Sequence, residues 1–237
     1  FRPIGLLPLL PRLWMRARRE AATEWERANQ RPYLYAGQAM GAHVAAWKQA
    51  TRAELAAVAD VPYAMVLLDL VKAFERIPHH VVVREAIRHG YPIWLVRLSL
   101  ATYRLERVVR VGTAVSQTMT AARGITAGSG FATTALRLIM ITIVDAAFEQ
   151  HPCCWPTVYV DDVAIECSGT AATIKRHVVG FAAIVCTMME DDNLELSQTK
   201  NLCTASSDAI GTMVATQLRQ WNVRYTRRVK SLGAGLG

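Results

Sequence analysis

Short apolar runs alternate along this chain with longer segments in which apolar residues recur at helical spacing. Residues 64–70, AMVLLDL, form a continuous apolar run that includes one carboxylate near its end, which predicts a strand. Residues 157–167, TVYVDDVAIEC, are two apolar runs around two acids, which predicts a β-hairpin with Asp161 and Asp162 at its tip. Helical spacing predicts helices over residues 12–25, 37–47, 51–59, 91–103, 133–148 and 170–190, and between Pro78 and Gly90.

The order of these elements indicates a fold class. From residue 61 onward it is strand, helix, loop and helix, hairpin, helix and strand. Such an order favours an α+β fold, with helices packed on one face of a small, mostly antiparallel sheet. Residues 108–115, with β-branched residues around Gly112, predict a further strand and turn, and residues 229–232 predict a last strand.

Composition narrows the class of protein. Of 237 residues, 52% are hydrophobic and 19% are charged, which is typical of globular rather than disordered chains. The formal net charge of +8 favours a polyanionic partner such as nucleic acid. The length allows one large domain or two small ones.

Cysteines and apolar stretches indicate the compartment. The five cysteines include no CxxC pair, so we predict neither a zinc ribbon nor a disulfide framework, and we expect an intracellular location. The longest apolar stretch, Phe131–Phe148, contains Arg137 and Asp145, which predicts a buried helix and no membrane association. The chain begins at Phe1 and ends in a Gly-rich tail, so we expect a fragment of a longer protein.

Three acids are candidates for a metal site. Asp69 lies at the end of one predicted strand, and Asp161 and Asp162 lie at a hairpin tip where both can reach one site. Adjacent carboxylates repel each other unless a cation lies between them, and hard oxygen ligands suit Mg²⁺. Two such ions about 3.5–4 Å apart can activate a hydroxyl and stabilise a leaving phosphate. A polar turn is the alternative interpretation of the acidic pair alone.

A set of short motifs resembles the reverse transcriptases of non-LTR retrotransposons. The motifs occur in the order found in that family and together cover nearly the whole chain. They are FRPIGLLPLLPRLW at residues 1–14, DLVKAFERI at 69–77, the loop and helix at 124–138, YVDD at 159–162, LSQTKN at 196–201 and KSLG at 230–233. The resemblance implies a right-hand polymerase. Residues 1–60 would belong to the fingers, residues 61–237 would form the palm with a fingers insertion at about 80–122, and the thumb would follow residue 237.

The resemblance also implies individual roles. Asp69, Asp161 and Asp162 would hold the metal and, with Lys200 as a proton donor to pyrophosphate, would form the catalytic set. Phe74, five positions after Asp69, would exclude a 2′-hydroxyl and so select deoxynucleotides. The remaining residues expected to contact substrate are Arg2, Lys72, Gly124 and Tyr159. One loop departs from the family pattern, because Arg123 stands where a glutamine is usual and the proline after Ser129 is absent.

The function implied is RNA-directed DNA polymerase of a retroelement. A primer 3′-hydroxyl would attack the α-phosphate of a deoxynucleoside triphosphate (dNTP), with two Mg²⁺ ions, or Mn²⁺ in their place, as cofactor. The partners expected are an RNA or DNA template with its primer, and the location is the nucleus if the source is eukaryotic. Two alternatives stay open: an RNA-dependent RNA polymerase, against which Phe74 argues, and a non-catalytic nucleic-acid-binding remnant, against which the intact acids argue.

Overall fold

A computed structural model describes residues 7–37, 40–126 and 128–236. Its helices are α1 (Leu9–Ala17), α2 (Arg19–Ala28), α3 (Ala42–Val58), α4 (Ala73–Arg76), α5 (His79–Arg88), α6 (Ile93–Tyr103), α7 (Ala132–Gln150), α8 (Ala171–Asp191) and α9 (Asp208–Gln217). Its strands are β1 (Tyr63–Leu68), β2 (Arg110–Val111), β3 (Ala114–Val115), β4 (Trp155–Tyr159), β5 (Asp162–Ser168), β6 (Leu202–Ala205), β7 (Arg224–Tyr225), β8 (Val229–Ser231) and β9 (Ala234–Leu236). The chain forms two compact units, Phe1–Gln30 with Lys72–Ile139 and Arg31–Val71 with Met140–Gly237.

The predicted mixture of helices with a small sheet is confirmed, and so is the β-hairpin around the paired acids. Three helix boundaries were wrong. Residues 12–25 form two helices that meet at Arg18. Gly37, Met40 and Gly41 lie outside the helix expected to contain them, and the segments 42–47 and 51–58 belong to one helix, α3. The predicted division into fingers and palm stays a prediction.

The central sheet lies in the second unit and has the strand order β4-β5-β1-β6-β7. Its first four strands pair antiparallel, whereas β6 and β7 pair parallel. The sheet is therefore mixed, with three antiparallel pairings and one parallel one, which agrees with the expectation of a mostly antiparallel sheet. The reason for the parallel pairing is the connection between β6 and β7, because a helix, α9, returns the chain to the same end of the sheet before β7 begins.

Helices cover both faces of this sheet, which corrects the prediction that they pack on one. On one face the thiol of Cys203 donates to the carbonyl of Gly211 in α9 at 3.5 Å. On the opposite face Tyr63 and Met65 pack in one cluster with Ala56 of α3. Coverage of both faces explains why β1 is a continuous apolar run, because a strand that is buried on both sides does not alternate apolar with polar residues.

The face covered by α3 also contains a buried ionic contact. Glu166 is fully buried and accepts hydrogen bonds from the hydroxyl of Tyr63 and from Nη1 of Arg52, each at 2.8 Å. Burial raises the pKa of Glu166, while Arg52 and Tyr63 act in the opposite direction. The carboxylate is therefore satisfied by hydrogen bonds within this unit, as buried charges must be.

Within residues 7–37, 40–126 and 128–236, α8 is the one helix whose length and composition would allow it to cross a membrane. Only 39% of its apolar window is buried, and α8 packs against β1 and β5. The apolar helix α7 contains two charged residues with partners in their own units. Asp145 accepts from Nε of Arg31 at 3.0 Å, and Arg137 lies 3.7 Å from the carboxylate of Glu26.

Helices of the first unit pack around an aromatic pair. The indole of Trp25 donates to the carbonyl of His89 at 2.8 Å, and its ring meets Tyr91 edge-on at a centroid distance of 5.2 Å. Such a contact adds to the apolar burial of both rings. It links α2 to the end of α5 within this unit.

Candidate active site

The β4–β5 hairpin determines where its two acids lie. Tyr159 pairs with Asp162 across the ladder, so Val160 and Asp161 form a two-residue turn. Val160 has φ of 60°, in the left-handed region that a β-branched residue rarely adopts. Conformations of this kind persist only where the surrounding structure enforces them, and they are common at functional sites. In the same hairpin, the half-buried Tyr159 is the ladder partner of Asp162, a candidate metal ligand.

Asp69 follows β1 directly and lies beside this hairpin. Leu68 pairs with Val163, so the next pair of positions along the ladder is Asp69 and Asp162. The pKa of the Asp162 carboxyl is raised to about 6, first because the surrounding protein removes water from it and then because Asp161 and Asp69 are negatively charged. Lys200 partly offsets this increase. The negative charges of Asp161 and Asp69 therefore both act on the carboxyl of Asp162.

Lys200 places a positive charge beside Asp69. Its ammonium lies 3.3 Å from both carboxylate oxygens of Asp69, and the two side chains are 63% and 26% exposed. The hydroxyl of Ser197 accepts from the backbone N–H of Lys200 at 3.2 Å, which fixes the loop that presents the lysine. The carboxylate of Asp69 and the ammonium of Lys200 are thus in direct contact.

Asn201 is a positioning residue that sequence reasoning missed. It is fully buried, and its side-chain oxygen accepts from the backbone N–H of Asp69 at 3.0 Å. Its amide nitrogen donates to the carbonyl of Trp221 at 2.8 Å. Asn201 therefore holds the backbone of the catalytic candidate in place. It lies next to Lys200 in the LSQTKN motif, and that position was its only sequence signal.

The chemistry of the acids suits a cation. No cluster of three or more His, Cys, Asp and Glu side chains in the described part of the chain is positioned to hold a metal ion. Mg²⁺, however, commonly takes one or two carboxylates and completes its shell with water and substrate phosphates. The mutual repulsion felt by Asp162 is what a bound cation would relieve. The predicted metal role of Asp69, Asp161 and Asp162 stays a prediction.

A cavity of about 440 Å³ opens beside these residues within the second unit. Side chains of both charges line it, together with uncharged polar ones; they include Gln49, Asp69, Thr157, Asp162, Lys200 and Lys230. Its volume is within the range of small-molecule sites, which is about 300–1,000 Å³. The cavity offers carboxylates for a cation and ammonium groups for a phosphate.

The other predicted substrate residues belong to the first unit, apart from Arg2, which lies outside the described residues. Lys72 is exposed and takes a left-handed conformation, with φ of 51°, just before α4. Phe74, on α4, is half-buried, and its carbonyl accepts from the N–H of Ile125 at 2.6 Å. The loop after Arg123 is therefore attached to the backbone of α4.

Gly124 is required by the geometry of this loop. Its φ is +90°, and its N–H donates to the carbonyl of Ile77 at 2.8 Å. A Cβ at this position would lie 2.5 Å from the carbonyl oxygen of Glu75, a distance that no side chain tolerates. His79, which the sequence analysis did not single out, completes the attachment, since its Nε2 lies 2.8 Å from the carbonyl oxygen of Gly124.

Comparison with known proteins identifies a similar fold. No family model matches this chain, and no curated protein matches it. A solved structure that it resembles is that of apo telomerase from Candida tropicalis, truncated from the C-terminal domain, with a TM-score of 0.54 and 11% sequence identity. The similarity covers 84% of this chain and 40% of that one, so this chain spans less than half the length of its structural neighbour. At such low identity the similarity shows the fold alone.

Proposed function

We propose that this chain is part of a reverse transcriptase, an RNA-directed DNA polymerase of a retroelement. The observation that carries the proposal is the arrangement of Asp69, Asp162 and Lys200 around one cavity, with Asp161 in the adjoining turn. The telomerase-like fold supports it, because telomerase is itself a polymerase related to reverse transcriptases. The ordered sequence motifs extend the proposal from the fold to the reaction.

In the proposed reaction each acid has a defined task. Asp69, Asp161 and Asp162 would hold two Mg²⁺ ions, or Mn²⁺, once the phosphates of a nucleotide complete the metal shell. Bound metal would lower the pKa of the primer 3′-hydroxyl and would stabilise the negative charge that develops on the leaving phosphate. Lys200 would exchange its contact with Asp69 for one with pyrophosphate, to which it would give a proton.

The substrate is assigned to the dNTP class through Phe74. A phenyl ring has no hydrogen-bonding group for a 2′-hydroxyl, and the resemblance places Phe74 at the position that selects deoxynucleotides. Arg2 and Lys72 are proposed to contact the triphosphate, and Gly124 and Tyr159 to contact substrate. The template–primer duplex is the proposed polyanionic partner of a chain with net charge +8.

Primer extension tests this proposal. A labelled DNA primer annealed to an RNA template is incubated with the 237-residue protein and Mg²⁺, with dNTPs in one reaction and ribonucleotides in another. We expect extension with dNTPs and little with ribonucleotides. Extension with ribonucleotides alone would favour an RNA polymerase, and binding of the duplex without extension would favour a non-catalytic nucleic-acid-binding protein.

A further inference from the structure

Two polar side chains at the cavity have no hydrogen-bond partner in the part of the chain that the structure describes. Both polar atoms of the Gln49 amide and the hydroxyl of Thr157 are buried and unpaired. The two residues are 0% and 1% exposed, respectively, and both line the cavity that contains Asp69 and Asp162. The other polar network on this face of the sheet, that of Glu166, is fully paired.

Unpaired buried polar groups are unusual enough to need a physical reason. Roughly 90% or more of buried polar groups in proteins have a partner, and leaving one without a partner destabilises the fold. Three unpaired atoms on two side chains at one cavity indicate that the missing partners come from outside the described residues. An internal water is one possible partner and a ligand is another.

The position of Thr157 relates these atoms to the acids. Thr157 pairs with Ala164, which pairs with Leu67, so these residues form a row across the sheet. Because side chains alternate along a strand, Asp162 and Asp69 lie on the same face in the next row. A ligand that touches the acids through a bound cation would therefore also cover this row.

We propose that Gln49 and Thr157 bind the nucleoside part of a nucleotide that lies in this cavity, an inference that rests on the proposed polymerase function. The apolar side chains of Leu67, Ala164 and Leu202 line the cavity and suit the flat face of a base. The glutamine side chain has an NH₂ group that donates hydrogen bonds and a carbonyl oxygen that accepts them, so it can pair with the donors and acceptors along the edge of a base. Lys200 and Lys230 suit the attached phosphate.

The nucleotide could come from two sources with the same chemistry, a free dNTP or the terminal nucleotide of the primer. Two probes distinguish these sources. One is each of the four dNTPs with Ca²⁺, and the other is a template–primer duplex whose primer ends in a dideoxynucleotide, also with Ca²⁺. Loss of affinity for one probe alone identifies the source.

The variants are Gln49→Met and Thr157→Val, which keep approximate shape and remove the unpaired polar atoms. Thr204→Val is the matched control, because Thr204 is a buried threonine of the same sheet whose hydroxyl donates to the carbonyl of Arg227 at 3.3 Å. We expect each test variant to raise the Tm of the unliganded protein by about 2–4 °C and to weaken binding of one probe about tenfold. Thr204→Val should lower Tm and leave both affinities unchanged.

Three other results for Tm and binding affinity would contradict the inference. A lower Tm in Gln49→Met and Thr157→Val would show that water or the protein already satisfies these atoms, and it would overturn the inference. A higher Tm with unchanged affinity for both probes would overturn it as well. If wild-type protein binds neither probe, the proposed function itself fails, and this inference fails with it.

Discussion

The ammonium of Lys200 lies 3.3 Å from each carboxylate oxygen of Asp69. Lys200, the proposed proton donor, thus contacts the carboxylate of Asp69 that is proposed to hold metal. A metal cation that binds Asp69 must displace the ammonium of Lys200 or share the carboxylate with it. Opposite charges in contact compete directly with a third charge for the same oxygens. The contact therefore makes metal binding and the position of Lys200 interdependent.

Replacing Lys200 by Met should strengthen metal binding while reducing catalysis. Removal of the competing ammonium should lower the Kd for Mn²⁺ about two- to fivefold, the effect expected of a solvent-exposed ion pair. Primer extension should slow because pyrophosphate loses its proton donor. Isothermal titration with Mn²⁺ measures the first effect, and Lys175→Met, at an exposed position on α8, is the control. Weaker Mn²⁺ binding in Lys200→Met would contradict the competition.

Asp162 should make the metal-free protein less stable as the pH rises. Its pKa is raised to about 6, so between about 4 and 6 the folded protein retains a proton that the unfolded chain has released. Stability conferred by that proton is lost as the pH rises through this window. Asp162→Asn should therefore remove this dependence and be more stable than wild type at pH 7.5 in EDTA.

Urea unfolding at pH 5 and pH 7.5 measures this difference. Asp208→Asn is a suitable control, because hydrogen bonds from Arg227 and Tyr225 lower the pKa of Asp208 to about 2, outside that window. Wild-type protein that equals or exceeds Asp162→Asn in stability at pH 7.5 without metal would argue against repulsion among the acids.

Asn201→Ala should destabilise the protein and slow catalysis. The substitution leaves the N–H of Asp69 and the carbonyl of Trp221 without their partner, and each such loss costs about 1–3 kcal/mol. Denaturant unfolding measures the stability, and the rate of primer extension at 20 °C or below measures catalysis in protein that stays folded. Gln217→Ala, at an exposed end of α9, should change neither. An extension rate equal to that of wild type would limit Asn201 to a structural role.

Local patterns predicted the acidic hairpin, the strand before Asp69 and the long helices, because each depends on neighbours within one segment. The features that the sequence did not predict depend on contacts between segments that are distant along the chain. Nothing near Asn201 indicates that Trp221 will accept its amide, and nothing near Gln49 indicates that it will be buried beside Thr157. The parallel pairing of β6 with β7 likewise depends on where α9 returns the chain.

Phe74→Ala should allow ribonucleotides to be incorporated. A desolvated 2′-hydroxyl without a partner costs about 1–3 kcal/mol, and about 1.4 kcal/mol corresponds to tenfold in rate. We therefore expect the preference for dNTP over ribonucleotide, measured as the ratio of kcat/KM values, to fall at least about tenfold. Phe148→Ala, at an exposed phenylalanine of α7, is the control. An unchanged ratio would mean that Phe74 is a packing residue only and would reopen the RNA polymerase alternative.

Asp161→Asn tests whether the acids of the hairpin hold a catalytic metal, because this change keeps the shape of the side chain and removes one charge from the proposed metal site. Primer extension and equilibrium binding of the same template–primer duplex are measured on the same samples of wild type and variant, with Mg²⁺ present. We expect extension to be abolished while the Kd for the duplex stays within about twofold of wild type, since a metal ligand contributes little to binding of the duplex. Extension by Asp161→Asn at a rate near that of wild type would contradict a catalytic metal site at this hairpin.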